Sequence, residues 1–294
     1  MMEKQKNKNM HKLVLVDGNS LVFRAYYATY YKNKTLMQNK DNQDVNALIV
    51  FKNMFQKILE QTENYICVAF DSKKKTKRHE IYESYKKGRS KTPQSLIDQI
   101  VLIKEYLNLL GVRYCSENGF EADDIIGTIA KQASENNICV VIFSSDKDFL
   151  QLIDNNISVA LIKQGLKNVI YYDSKKLEEK FFLKPKQIVD FKSIVGDGSD
   201  NIKGIPLIGP KTATKILNQF HNLENIFDNL EKMNEKIKNK FIQYKEKVFF
   251  NRSLITLNTS VPLPFNYKET KIQKKEKHLL KFFLDKNKLK KGIK

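Results

Sequence analysis

Nine carboxylates stand out in this sequence because they follow short apolar runs or stand in dense acidic clusters. They are Asp17, Asp71, Glu121, Asp123, Asp124, Asp146, Asp148, Asp197 and Asp200. Carboxylate oxygens without interleaved cysteine or histidine favour hard cations such as Mg²⁺ or Mn²⁺. A pair of such ions about 4 Å apart suits in-line cleavage of a phosphodiester. The residue types therefore point to metal-dependent phosphodiester chemistry.

Each carboxylate taken alone has a simpler interpretation, since an aspartate after a strand is often the N-cap of the next helix. The nine carboxylates taken together favour a functional site, because a parallel sheet would bring these positions close to one another. Two carboxylates about 4 Å apart repel by roughly 4 kcal/mol at an effective dielectric near 20. Such a cluster requires bound cations.

The elements that would gather these acids are short apolar runs typical of strands buried on both faces. They occupy residues 13–16, 65–70, 112–115 and 139–143, with residues 157–162 as an added edge. Helical periodicity appears at residues 45–59 and 96–110, the latter with Thr92 as N-cap and Pro93 at the first helical position. This alternation predicts an α/β fold, a central twisted parallel sheet with helices on both faces, and a site beyond the carboxyl ends of the strands.

Helical signals dominate after about Asp173, and Asp173, Pro185 and Pro210 mark predicted helix starts. We expect an α/β domain over residues 1–183 and a helical part over residues 184–294. The Lys-rich segment 267–294 predicts a short helix followed by a frayed tail.

The composition favours an anionic partner. Lysine and arginine number 52 against 33 aspartates and glutamates, a formal charge of +19. The lysines are spread along the whole chain, so charge alone does not identify nucleic acid. Three separated cysteines form no C-x-x-C pair, and the polar N-terminus lacks the apolar run of a signal peptide or membrane span. We expect a monomer in the cytoplasm, at the nucleoid, with no membrane association.

Seven ordered motifs carry a family resemblance. They are VDGNSLVFRAY at 16–26, AFD at 69–71, RHEIY at 78–82, YKKGR at 85–89, FEADD at 120–124, SDKD at 145–148 and GDGSDN at 196–201. Together they resemble the bacterial 5′-3′ exonuclease and flap endonuclease family, found as stand-alone enzymes and as the N-terminal domain of DNA polymerase I. The resemblance spans residues 13–284 and implies a PIN-like 5′-nuclease fold.

By this resemblance, two or more Mg²⁺ or Mn²⁺ ions bind the nine carboxylates. Asp17, Asp71, Glu121, Asp123, Asp146 and Asp148 would form the inner catalytic shell. Asp124 would be either a ligand or a residue that orients one. Asp197 and Asp200 would form a more distal metal group.

Residues 72–93 are strongly basic with interleaved tyrosines and little apolar periodicity, which predicts a mobile cationic loop or a pair of short helices. A solvated linker is the simpler alternative. The resemblance implies an arch through which a single-stranded 5′ end passes. Lys86 and Arg89 would contact the scissile phosphate, joined by Arg78, and Lys86 would stabilise charge in the transition state. Tyr26 would either stack on a terminal base or pack in the core.

Residues 202–220 resemble a helix-hairpin-helix that holds the duplex backbone without reading bases. Gly204 and Gly209 would let backbone N–H groups approach a phosphate, while Lys211 and Thr212 stand at the next helix start. The resemblance adds a K⁺ ion held by hairpin carbonyls. A plain glycine-bounded helix connection is the alternative.

The sequence thus predicts a structure-selective 5′-3′ exonuclease or flap endonuclease for primer removal and DNA repair. Its substrate would be DNA with a 5′ flap or a single-strand to duplex junction, with a separate DNA polymerase filling gaps. A PIN-type ribonuclease and a non-catalytic junction-binding protein are the rivals. A phosphatase is excluded, because no D-x-D pair follows the first strand.

Overall fold

The structure is a computed structural model that describes residues 12–30, 36–72, 74–163 and 168–289. Its strands are β1 Lys12–Asp17, β2 Tyr65–Ala69, β3 Arg113–Cys115, β4 Cys139–Ser144, β5 Ile157–Ile162, β6 Val169–Tyr172, β7 Gly196–Asp197 and β8 Ile202–Lys203. Its α-helices are α1 Gly18–Tyr30, α2 Asn46–Leu59, α3 Lys77–Ile81, α4 Gln94–Leu109, α5 Ala122–Glu135, α6 Ser174–Phe181, α7 Ile188–Val195, α8 Pro210–Phe220, α9 Leu223–Asp228, α10 Glu235–Gln243, α11 Lys245–Ile255 and α12 Lys277–Lys286.

Six strands form the main sheet in the order β3-β2-β1-β4-β5-β6. All neighbours pair in parallel except β5 and β6, which are antiparallel. Strands β2 and β3 lie on one side of β1, and β4, β5 and β6 lie on the other, so the strand order reverses at β1. Open sheets of this kind bind ligands beyond the strand carboxyl ends, near the point of reversal. In this chain that point lies at Asp17, the last residue of β1.

The sheet is covered on both faces, as the strand pattern predicts. Leu13 and Leu15 of β1 pack into a core with α5 and the C-terminal helices, while Val14 and Val16 pack into a second core with α1, α2 and α4. Side chains alternate between faces along a strand, so a strand between two helix layers is apolar at every position. The predicted α/β class is confirmed.

Two strand predictions are wrong in detail. β5 is not the edge of the sheet, because β6 pairs with it outside and in the opposite direction. The helical part also contains a two-stranded ribbon, β7 and β8, at residues where no strand was expected. Both missed elements are short, at four and two residues per strand, and give little periodicity to detect.

Two of the four predicted helix starts hold and two differ. Asp173 caps α6 by accepting a hydrogen bond from the Lys176 N–H at 2.8 Å, and Pro210 is the first residue of α8. Pro185 instead begins a 3-10 helix, Pro185–Gln187, that leads into α7. The helix α4 begins at Gln94 with Pro93 as its N-cap, one position later than expected from Thr92.

The C-terminal part contains a hairpin between two helices and then returns to the first sheet. Residues 196–209 join α7 to α8, first as the β7–β8 ribbon and then as a turn over residues 204–209. Gly204 is required there, since a Cβ would lie 2.2 Å from the Val195 carbonyl carbon. Beyond α11, the Ile272 N–H bonds to the Asn64 carbonyl, and Phe283 of α12 stacks on Tyr106 of α4. Within the described residues, no helix is both long and apolar enough to cross a membrane.

Candidate active site

Four carboxylates form an inner group at the carboxyl edge of the sheet. Asp17 ends β1, Asp71 and Asp146 lie two residues beyond β2 and β4, and Asp123 lies in the first turn of α5. Asp17 is held by the Ser20 N–H at 2.9 Å and by the Ser144 hydroxyl at 2.6 Å. The sheet therefore brings four of the six acids predicted for the inner shell close enough to interact electrostatically.

Burial and mutual repulsion perturb this group. Burial raises the pKa of Asp17 to about 7, and the charges of Asp71 and Asp146 add to the rise. Burial also raises the pKa of Asp123 well above its usual range, with Asp17 and Asp146 contributing. The pKa of Asp146 rises for the same first reason. Neighbouring carboxylates repel one another when they are ionised, and a bound cation relieves that repulsion.

Three further carboxylates form a distal group beside the first, and this group includes Asp148, which was predicted for the inner shell. Asp148, Asp197 and Asp200 each place an oxygen within 4.8 Å of the others. The Lys192 ammonium, on α7, contacts the carboxylates of Asp148 and Asp197, the latter at 2.5 Å. Burial would raise the pKa of Asp197, yet Lys192 and the Ser199 donors outweigh it and lower this pKa to about 2. An all-oxygen donor set of this kind fits a hard divalent cation.

Asp124, and Glu121 of the predicted inner shell, differ from the four inner acids because basic side chains bind their oxygens. Arg78 forms a bidentate pair with Asp124 at 2.7 and 2.8 Å, and the Asn258 N–H bonds to the same carboxylate at 2.8 Å. Glu121 accepts from Lys86 at 2.6 Å and from Tyr85 at 3.1 Å. For Asp124, this arrangement fits the orienting role and not the metal-ligand role.

The predicted DNA contact of Arg78 does not fit the structure. Its side chain is 10% exposed, and its five N–H groups donate to Glu121, Asp124 and the carbonyls of Leu254 and Thr256. A phosphate could bind only if these bonds broke. Arg78 instead joins the basic segment to α5 and to the end of α11.

Residues 74–93 of the basic segment pack against the carboxylates. It contains α3, and Tyr85 is buried, with its hydroxyl 3.1 Å from both Glu121 and Asp200. Lys86 has a left-handed φ of 56° and donates its backbone N–H to the Asp200 carbonyl at 3.1 Å. Arg89 bonds to Asp200 at 2.6 Å and stays 50% exposed. Lys86 and Arg89 therefore lie directly against the carboxylates, whereas a solvated linker would lie apart from them.

Two other predicted DNA contacts are placed very differently. Tyr26 is 1% exposed and stacks on Tyr30 of the same helix, so it packs in the core and the prediction of a base contact is wrong. Gly209, Lys211 and Thr212 lie at the start of α8, where Gly209 and Lys211 are exposed and a Cβ on Gly209 would meet open space. The hairpin residues therefore present the surface that a phosphate contact needs.

Sequence reasoning missed two basic residues of this site. Lys192 lies on an ordinary helix with no acidic motif of its own, and only folding places it between Asp148 and Asp197. Arg24 donates to the Ser145 hydroxyl and to the Ile162 carbonyl beside the inner group. The one available signal was that Arg24 lies within the first motif.

Comparison with known families identifies the chain. Residues 12–182, more than half of the 294, match the family of 5′-3′ exonuclease N-terminal resolvase-like domains. Residues 183–278 match the 5′-3′ exonuclease C-terminal SAM fold. The chain belongs to the 5′-3′ exonuclease family.

Individual members of the 5′-3′ exonuclease family agree with this assignment. The Mycoplasma pneumoniae 5′-3′ exonuclease is 40% identical over 78% of this chain and 79% of its own length. Bacillus subtilis DNA polymerase I is 39% identical over 86% of this chain, which spans only 28% of that protein. The chain thus matches under a third of its polymerase relative.

The fold extends to a structure of lower identity. A bacteriophage T5 D15 flap endonuclease, crystallised as a pseudo-enzyme-product complex with DNA and metal ions, aligns with a TM-score of 0.67. The alignment covers 85% of this chain and 90% of that one at 23% identity, which is evidence for the fold alone. Together, these comparisons confirm the family, fold class and nuclease class predicted from the motifs.

Proposed function

We propose that this chain hydrolyses DNA phosphodiesters from a 5′ end or at a single-strand to duplex junction, in primer removal and DNA repair. One observation carries the proposal: seven carboxylates in two adjoining groups lie close to the basic side chains of Lys86 and Arg89. The carboxylates can serve as metal ligands and the basic side chains as phosphate contacts, and phosphodiester cleavage requires both.

The carboxylates would hold Mg²⁺ or Mn²⁺. Asp17, Asp71, Asp123 and Asp146 belong to one site, and Asp148, Asp197 and Asp200 to the other. Two bound ions would supply an activated water and neutralise the leaving oxygen. Glu121 holds Lys86 in place, so it contributes through that lysine.

Lys86 and Arg89 would exchange their carboxylate partners for the scissile phosphate. Both are tethered close to the site, at 2.6 Å from Glu121 and Asp200 respectively. A cation that interacts more strongly with phosphate as negative charge develops on it lowers the barrier to cleavage. The Tyr85 hydroxyl lies 3.1 Å from both Glu121 and Asp200. It would hold these acids in position, and with them Lys86 and Arg89.

The duplex would be held by the hairpin and the start of α8, through Gly204, Gly209, Lys211 and Thr212. A K⁺ ion on the hairpin carbonyls is part of the same proposal, which a comparison of duplex affinity in K⁺ and Li⁺ salts tests. The chain would act as a monomer in the cytoplasm, and a DNA polymerase would fill the gaps. The similarity to a DNA polymerase I supports the pairing of this nuclease with a polymerase.

The test is cleavage of a DNA flap labelled at its 5′ end, with Mg²⁺, with Mn²⁺ and with a chelator. We expect cleavage with either ion and none with chelator. Asp146→Ala should nearly abolish cleavage while junction binding remains measurable, because it removes an inner ligand and no hairpin residue. Glu179→Ala, an exposed acid on α6, is the matched control and should cleave normally.

Two results would contradict the proposal. Junction binding without ion-dependent cleavage would favour a non-catalytic DNA-binding protein. Faster cleavage of single-stranded RNA than of the DNA flap would favour a ribonuclease.

A further inference from the structure

Phe182 occupies a position where the fold itself favours glycine. It is the residue after α6, with a left-handed φ of 56°, and its N–H donates to the Glu178 carbonyl at 2.9 Å. Glycine is the usual residue at such a helix end, because a side chain there is strained. The Phe182 ring is nevertheless 66% exposed, so it contributes little to the core. An exposed aromatic side chain at a strained position suggests a role outside the fold.

Four exposed lysines lie near Phe182, three of them within four residues of it in the sequence and the fourth against the neighbouring Phe181. We call the five residues the lysine-framed corner: Lys147, Lys180, Phe182, Lys184 and Lys186. The Lys147 ammonium lies 6.0 Å from the centre of the neighbouring Phe181 ring, which fixes the end of α6 beside the loop that carries Lys147. Within the described chain, none of the four lysines forms an ion pair. Their charges are therefore free to meet an anionic partner.

The corner adjoins the carboxylate groups. Lys147 stands between Asp146 and Asp148 in the sequence, and the 3-10 helix Asp148–Leu152 packs against the 3-10 helix Pro185–Gln187. A partner that binds the corner would therefore pass close to the catalytic edge of the sheet.

The helix α7 links the corner to the hairpin. It begins directly after the 3-10 helix that bears Lys186, and it ends at Val195, next to Gly204 of the hairpin. Eight residues at 1.5 Å each separate the two ends by about 12 Å. That distance is about three to four base-pair steps of DNA, so one duplex can reach both ends.

We propose that the lysine-framed corner is a second contact for the duplex backbone, with the lysines on phosphates and Phe182 against a deoxyribose. Phosphates pair with lysine without sequence preference, and the ring offers an apolar face to the sugar. This inference rests on the proposed function, since it assumes that DNA is the substrate. It adds a contact at the opposite end of α7 from the hairpin.

The first test removes two charges from the corner. Lys184→Ala/Lys186→Ala should weaken duplex binding about tenfold and reduce the slope of log affinity against log salt by about 1.8, since each phosphate contact contributes about 0.9. The matched control is Lys175→Ala/Lys176→Ala, which removes two exposed lysines at the other end of α6. The control should bind duplex as the wild-type protein does.

The second test separates DNA binding from folding. Phe182→Gly relieves the left-handed strain, so its melting temperature should equal or exceed that of the wild type while duplex affinity falls several-fold. Unchanged affinity and slope in both corner variants, with wild-type cleavage intact, would overturn the corner but not the proposed function. An equal loss on a single-stranded oligonucleotide would place the contact on the threaded strand and overturn the duplex assignment. A wild-type protein that neither binds nor cleaves DNA would instead refute the proposed function.

Discussion

Substituting Lys192 by methionine tests the electrostatics of the site most directly. The Lys192 side chain is 17% exposed and its ammonium contacts two distal carboxylates, so it occupies a position that favours a cation. Methionine keeps much of the length and apolar stem but removes the charge. Without metal, Asp148 and Asp197 would then face each other with no cation between them.

The structure sets the size of the effect. The pKa of Asp197 falls to about 2 although burial alone would raise it, because Lys192 and the Ser199 donors stabilise the charged form. Removing one partner of a fully buried pair costs about 3–5 kcal/mol. The side chains of Lys192 and Asp197 keep 17% and 10% of their surface exposed, so we expect a slightly smaller loss, about 2–4 kcal/mol. At about 2 °C per kcal/mol, the melting temperature should fall by about 4–8 °C.

Bound metal should offset most of this loss of stability. Lys192 and a divalent ion compete for the same oxygens, so its removal should tighten Mg²⁺ binding by about 30-fold, the equivalent of about 2 kcal/mol. Saturating Mg²⁺ should then restore most of the lost stability. Because the Asp197 pKa is depressed, its contribution is present above pH 3.8 and is lost only as pH falls towards 2, so neutral pH shows the full effect.

Thermal melts with chelator and with Mg²⁺, together with calorimetric titration of Mg²⁺ without DNA, measure both effects. Lys236→Met, an exposed lysine on α10, removes the same charge elsewhere and should change neither quantity. If Lys192→Met melts like the wild type in chelator and binds Mg²⁺ no more tightly, the placement of Lys192 between the carboxylates is wrong.

Three further predictions concern the hairpin, the buried arginine and the inner carboxyls. Lys211→Ala should weaken duplex binding and lower the salt slope by about 0.9, and an unchanged slope in a binding titration would argue against a phosphate contact there. Arg78→Met should destabilise the protein by about 3–5 kcal/mol in denaturant melts, whereas a loss of DNA affinity at unchanged stability would restore its predicted DNA role. Because the folded Asp17 pKa of about 7 exceeds its usual 3.8, metal-free protein should gain stability as pH falls through 7, and Mg²⁺ should reduce that gain; melts that show no pH dependence would contradict the burial of Asp17.

The inner carboxylates could be predicted because simple rules place them. Asp17, Asp71 and Asp146 each follow an apolar run, and the carboxyl ends of parallel strands meet at one edge. The distal aspartates lie outside the sheet, so only the family motif pointed to them. β6 could not be predicted, because four residues at the edge carry no clear alternation.

The basic residues were harder to predict, since charge type and spacing do not say which partner a side chain meets. Arg78 and Arg89 lie in the same cationic segment, yet one is buried on Asp124 and the other is half exposed on Asp200. The difference arises from the end of α11, whose Leu254 carbonyl accepts from Arg78 across 176 residues of sequence. No local pattern contains that information.

The charge balance of the site explains why basic side chains from both the basic segment 72–93 and α7 lie against the carboxylates. Nine carboxylates face Arg78, Lys86, Arg89 and Lys192, so five negative charges would remain if every acid were ionised. Two divalent ions would carry four positive charges, whereas a single ion would leave three negative charges in a buried cluster. When DNA phosphate then draws Lys86 and Arg89 away, the acids lose two positive charges, which should strengthen their hold on the metal ions. Substrate and metal binding should therefore reinforce each other.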